Sequence, residues 1–181
     1  MNVPVIRSLF YPSLLWNIIL SKIIPRREWW NEIYPHVILG ALPFPHLTRS
    51  LKRLGVTAIV NMCEEWPGPC DLYKAEHITQ LHLPTTDFRS PLIKDIEKGI
   101  NFIEEHRANG SSVYVHCKAG KGRSATLILC WLIAVKGMTP EDAQEYILQR
   151  RPHVSKYLYR RDVVQEFQKN QMINIKKLAG S

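Results

Sequence analysis

The stretch SVYVHCKAGKGRSATLILCWLIAVK, residues 112–136, limits what this chain can fold into more than any other. Its first five residues read as a buried strand, and residues 124–136 as an almost wholly apolar helix. Between them lies a short loop holding Cys117, Lys118, Lys121 and Arg123 among small residues. A strand that feeds directly into a buried helix is the unit of a sheet with helices packed on it. The alternation continues on both sides. HVILG (36–40), VTAIVNM (56–62) and ITQLHLP (78–84) read as short strands. HLTRSLKRLG (46–55) reads as a helix closed by Gly55. Residues 90–110 form an amphipathic helix with Leu92, Ile96, Ile100 and Ile103 inside and Asn109-Gly110 as its stop. Gly137 ends the apolar helix, Thr139 caps the next with Pro140 at its first position, and residues 155–170 make the last. We therefore expect an α/β fold, with a central, mostly parallel, twisted sheet flanked by helices. A chain of 181 residues, 45% hydrophobic, is enough for one such core.

In α/β folds, ligands sit at the carboxyl ends of the strands. There this chain has Cys117-Lys-Ala-Gly-Lys-Gly-Arg123. Ala119, Gly120 and Gly122 leave backbone N–H groups free to curl around one anion, and the start of the following helix adds its dipole. Arg123 can grip two phosphate oxygens at once. The same field lowers the pKa of a thiol at Cys117. A thiolate inside a phosphate cradle is a nucleophile aimed at phosphorus. The alternative for Cys117, a small buried hydrophobe, leaves the glycine-cation loop unexplained. Ser124 is placed to hydrogen-bond the sulfur, and His116 to order the loop from behind. No G-x-x-x-x-G-K-[ST] occurs, which excludes a Walker loop. Cleaving a monoester also needs an acid for the departing oxygen. Asp87 in LPTTDFRSP, between a strand and a helix, is the candidate; a turn or helix-capping aspartate is its other reading. Asp71 and Asp95 are weaker candidates.

VHCKAGKGRS resembles the H-C-x5-R-[ST] signature of the cysteine-dependent protein tyrosine phosphatases, dual-specificity class. The resemblance runs over roughly residues 31–170. YPHVILGALPF (34–44), NMCEEW (61–66) and TTDF (85–88) look like the mitochondrial phosphatidylglycerophosphate phosphatases. That resemblance implies Cys117 as nucleophile, Arg123 and the loop 118–124 as the phosphate cradle, Asp87 as general acid, and Glu64 and Glu65 beside the site. It implies a phosphocysteine intermediate, no cofactor and no metal, and a phosphorylated lipid of the cardiolipin pathway as substrate. Two departures stand out: Lys121 where that subfamily commonly has arginine, and Pro67-Gly68 where an acidic residue often follows. HCKAGKGR is also similar to the tensin-like phosphoinositide phosphatases, so a phosphoinositide or a phosphoprotein is the alternative substrate. A rhodanese-type sulfurtransferase would need neither Asp87 nor the hydroxyl after Arg123. A catalytically dead binding module would have lost the cysteine, the arginine or the acid.

The net charge of +8 favours anionic partners, but no aromatic–basic stacking platform marks a nucleic-acid binder. Cysteines at 63, 70, 117 and 130, without metal-ligand spacing, read as free thiols in a reducing compartment. Residues 1–30 read as a separate segment before a catalytic domain at 31–175. The first 27 residues contain Arg7, Lys22, Arg26 and Arg27 and no acid. Their apolar run is shorter than the roughly 20 residues that span a bilayer. From Ser13 a helix is expected, with Ser13, Asn17 and Ser21 on a thin polar stripe and Trp29, Trp30 and Tyr34 following as headgroup-level rings. Two functions fit: a mitochondrial presequence, or an interfacial helix on an anionic membrane. A helix packed on its own domain is the third reading. We expect a monomer.

Overall fold

The apolar runs at 37–40, 56–63 and 112–116 lie side by side as the middle of one five-stranded sheet in a computed structural model that describes residues 10–24 and 27–179, with side chains to residue 173. The elements, in chain order, are α1 (Phe10–Ile23), β1 (Trp30–Tyr34), β2 (Val37–Gly40), α2 (Pro45–Arg53), β3 (Val56–Cys63), α3 (Cys70–Ala75), β4 (Thr79–Thr85), α4 (Ile93–Ala108), β5 (Ser112–His116), α5 (Arg123–Lys136), α6 (Pro140–Arg150) and α7 (Asp162–Ala179). A 3-10 turn, Leu158–Arg160, precedes α7. The strand order is β1-β2-β5-β3-β4; β2, β5, β3 and β4 run parallel, and β1 joins β2 antiparallel. The expected mostly parallel α/β architecture is the one observed.

Burial explains why the central runs are unbroken rather than alternating. Every residue of β2 and β5 is buried, because both faces of a parallel sheet are covered by helices. Residues 123–133 of α5 are likewise all buried, packed between the sheet and α4, α6 and α7. Gly137 ends α5 at φ 66°, a left-handed cap that other residues adopt at a cost. The Thr139 hydroxyl accepts from the Asp142 N–H, 3.1 Å, as an N-cap should.

Three elements differ from expectation. β1 arises from WNEIY, where only Ile33 is buried; its order comes from pairing with β2, which no local pattern announces. Its rings therefore belong to the domain. Trp29 donates to Leu42 O (2.9 Å) and stacks on Phe44, while Tyr34 packs edge-on against Trp131. α3 is a single short helix held by one buried side chain, Tyr73. The last helix starts seven residues late, because 155–161 are pinned by tertiary partners: Leu158 N–H donates to the buried Gln144 Oε1 (2.8 Å), and Ser155 N–H to Lys121 O (3.0 Å).

α1 packs on the domain beside this core. Phe10 and Leu14 are buried with Leu42 of the catalytic domain, against Ile18, Trp29, Phe44 and Trp66. From Phe10, where the described residues begin, the helix lies on the domain, the third of the readings given above. Arg7 and Arg26 lie outside the described residues.

Candidate active site

β5 ends at His116, at the sheet edge where β2, β3 and β4 also end. In the loop that follows, every carbonyl from 118 to 122 is held from outside. Leu42 N–H takes Lys118 O (3.3 Å), Arg151 takes Ala119 O (3.3 Å) and Gly120 O (3.0 Å), Ser155 N–H takes Lys121 O (3.0 Å), and Thr126 N–H takes Gly122 O (2.8 Å). A trans peptide points its N–H away from its C=O. The amides of 119–123 are therefore turned away from those outside partners, and the N–H of Ala119, with that of Ser124, reaches Cys117, the arrangement of an anion nest. Gly120 serves the turn: its φ is 64°, and a Cβ there would stand 2.4 Å from Gly40 O.

The buried residue that ties this loop down, Arg151, escaped the sequence reading. It has no exposed surface, and beyond the two loop carbonyls it donates to Asn31 Oδ1 (2.6 Å) and Glu28 O (3.2 Å). Burial lowers its pKa to about 10, which still leaves a cation at neutral pH. In QRRPH it is the second of two adjacent arginines, and nothing in its neighbourhood distinguishes it.

Cys117 is 3% exposed, at the floor of the loop. Burial raises its thiol, but the Arg123 charge, the Ser124 hydroxyl at 3.2 Å, and the N–H groups of Ser124 and Ala119 outweigh it, holding the pKa at about 7. Burial raises Cys63, and takes Cys130 to about 12. Burial lowers His116 to about 3, so it is a neutral ring behind the loop, beside Trp66 and Tyr114. It is no proton acceptor at working pH. Because the thiolate is the reactive form, alkylation of Cys117 by iodoacetamide, followed by peptide mapping, should rise with pH through a midpoint near 7. A midpoint at 9.0, the ordinary value, would mean that the loop does not overcome burial.

Arg123 is 2% exposed, and its surroundings fix one edge of the guanidinium. Nη1 donates to Glu65 Oε2 (2.8 Å) and Thr85 O (2.6 Å). Nη2 lies 3.0 Å from Asp87 Oδ1 but is not aligned to donate to it, so this donor is buried without a hydrogen-bond acceptor among the described residues. Burial opposes its charge, yet Cys117, Cys63, Asp87 and Glu65 together raise its pKa further. Glu65 also accepts from the Asp87 N–H (2.9 Å), and Glu64 from the Thr86 hydroxyl (2.6 Å). The two glutamates thus tie Thr86 and Asp87 down, Glu65 holding Asp87 beside Arg123.

Asp87 follows β4 and is 8% exposed, ion-paired to Lys118 as well as Arg123. Asp71 and Asp95 fall on α3 and α4, away from this pocket. Lys118 Nζ also donates to Ser13 Oγ of α1 (2.8 Å) and lies 5.3 Å from the Phe10 and Phe88 rings. Its ammonium thus bridges the Asp87 loop and α1, and the residue lines the same pocket as Lys121. Burial, with Arg27 and Arg151 nearby, lowers Lys121 to about 8, so it remains largely charged at neutral pH. Ala119 and Gly122 line the pocket with Cys117 and Arg123, whereas Gly120 and Ser124 support it from behind. The cavity is about 350 Å³; Arg89 and Arg161 add cations, and Trp16 and Phe88 add rings. The contribution of α1 to the wall was not foreseen.

Residues 38–170 match the family model for the dual specificity phosphatase catalytic domain. Phosphatidylglycerophosphate phosphatase PTPMT2 of Arabidopsis thaliana is 40% identical over 168 residues, or 91% of this chain and 74% of that one. Phosphatidylglycerophosphatase and protein-tyrosine phosphatase 1 of Homo sapiens is 37% identical over 172 residues, 90% and 86% of the two chains. The crystal structure of PTPMT1 in complex with PI(5)P superimposes with a TM-score of 0.74 at 34% identity, covering 82% of this chain and 99% of that one.

Proposed function

Since the chain belongs to the dual-specificity phosphatase family and is a cysteine-dependent phosphatase, we propose that it removes the terminal phosphate of phosphatidylglycerophosphate, at an anionic membrane surface of the mitochondrion. The observation that carries this reading is the set of cations around the nest. Arg123 and the loop amides provide for one phosphate, and Lys121, Arg89 and Arg161 line the same pocket beyond them. Phosphatidylglycerophosphate has a diester phosphate beside its terminal monoester, whereas a phosphotyrosine carries its single phosphate on a long neutral arm. The basic, acid-free N-terminus supports the mitochondrial assignment, and the names of the relatives support the substrate. A phosphoinositide is the second reading, supported by the PTPMT1 complex with PI(5)P.

The reaction has two steps. The phosphate oxygens take the loop amides and Arg123 Nη2, displacing the Asp87 carboxylate from that cation. Asp87 takes up a proton from solvent as it leaves Arg123; Cys117 Sγ attacks phosphorus, the P–O bond to glycerol breaks, and Asp87 delivers that proton to the leaving oxygen. Asp87 then takes a proton from water, whose oxygen attacks the phosphocysteine. The S–P bond breaks, and the Ser124 hydroxyl stabilises the departing thiolate. Preorganised charge does most of the work. The test is kcat/KM for phosphatidylglycerophosphate, a phosphoinositide and a phosphotyrosine peptide in matched micelles, expected to decrease in that order. An inositol lipid or phosphopeptide turned over about tenfold better than phosphatidylglycerophosphate would overturn the proposal.

A further inference from the structure

Helix α1 is mounted with its polar stripe inward. At about 3.6 residues per turn, Tyr11, Leu15, Ile19 and Ile23 share one face, and Phe10, Ser13, Leu14, Asn17 and Ser21 share the opposite one. The second face is the one against the domain. Phe10 and Leu14 are buried, Ser13 accepts from Lys118, and Asn17 accepts from Arg27 Nη2 (2.8 Å). The apolar face points to solvent, with Tyr11 and Ile23 each 69% exposed and Leu15 59%. A helix at a water boundary has the reverse arrangement. The apolar surface continues to the catalytic pocket. Trp16 (60% exposed) and Phe88 (68%) both line its mouth, and Phe88 is held at φ 60°, a backbone state that bulky residues rarely adopt. Cations surround this surface: Lys22 on the helix, and Arg89, Lys121 and Arg161 in the pocket. No acid occurs before Glu28.

We infer that the outer face of α1 is a docking surface for an anionic lipid leaflet, and that it sets the catalytic pocket at the headgroup plane. The helix lies along the interface: none of the described helices is long and apolar enough to cross a bilayer. Tyr11, Leu15, Ile19 and Ile23 enter the acyl boundary, and the cations meet the anionic headgroups. Trp16 and Phe88 then stand where a lipid's glycerol and first acyl carbons leave the pocket, so the headgroup phosphate reaches Cys117 while the chains stay in the leaflet. Ser13 and Asp87 share the Lys118 ammonium, so the docked helix is linked to the Asp87 loop through one side chain. The inference rests on the lipid-substrate reading, but its test separates the two.

The variant replaces Tyr11, Leu15, Ile19 and Ile23 with glutamine, which keeps the helix and removes the apolar face. Binding to vesicles of phosphatidylcholine and phosphatidylserine is expected to weaken by about thirtyfold or more. Turnover of phosphatidylglycerophosphate embedded in those vesicles should fall in proportion, and turnover of a soluble aryl phosphate should stay within about twofold, which also reports an intact fold. Undiminished vesicle binding by the variant would overturn the inference. So would a parent that light scattering finds dimeric and the variant finds monomeric, with vesicle binding equal, because the face would then join two copies of the chain. A short-chain, water-dispersed phosphatidylglycerophosphate separates the readings. If it is turned over no better than a phosphopeptide while vesicle binding still depends on α1, the substrate assignment fails and the docking surface stands.

Discussion

Cys117→Ser should lower turnover of every phosphate monoester by roughly 10⁴-fold or more, because no other group can form the phosphoenzyme. The hydroxyl is nearly isosteric with the thiol, but the nest that brings the thiol to about 7 cannot make an alkoxide at neutral pH. Affinity for a phosphate mimic should remain, since the amides of 119–123 and Arg123 are untouched. Stability should barely change: the neighbouring carbonyls are held by Arg151, Leu42, Ser155 and Thr126, none of which depends on the sulfur. Steady-state kinetics with vanadate titration provide the check. Residual activity above a tenth of the parent would remove Cys117 as nucleophile.

Asp87→Asn carries the second largest effect, and the structure gives it an unusual form. Without the proton donor, alkyl phosphates should slow by about 10² to 10³-fold, while aryl phosphates, whose leaving groups need little protonation, slow far less. At the same time the substitution removes the carboxylate that pairs with Arg123 and Lys118. The incoming dianion no longer displaces a rival anion, so KM and the inhibition constant of inorganic phosphate should both fall. A lower kcat with a lower KM is the signature of a group that both donates a proton and occupies the phosphate's place. Equal slowing of alkyl and aryl substrates, with unchanged phosphate affinity, would make Asp87 a structural residue of its loop.

The two substitutions probe parts of the site that differ in how far the sequence disclosed them. Cys117, Arg123 and Ser124 belong to one contiguous stretch, so their mutual placement follows from a strand, a tight loop and a helix start. Local chain geometry brings them together in any fold that forms those three elements. The alternation of apolar runs with amphipathic segments announced the parallel sheet for the same reason: β2, β3 and β5 are buried on both faces, and burial leaves a mark on composition. Asp87 was legible because it follows a strand that ends on the same edge as β5.

What the sequence by itself determined is therefore the strand–loop–helix that groups Cys117, Arg123 and Ser124, and the sheet that carries it. The tertiary structure alone decided the rest, wherever partners lie far apart in the chain. Arg151 reaches the loop across some thirty residues, and Ser13 reaches Lys118 across 105. None of these pairs leaves a periodic or compositional trace. Which way α1 faces is the plainest case. Its polar stripe and its apolar face were both readable, and an isolated amphipathic helix would turn the stripe to water. Only the buried Lys118, whose ammonium takes Ser13 as an acceptor besides Asp87, and the apolar patch around Leu42 and Trp29 turn the stripe inward, leaving the apolar face to meet something other than water.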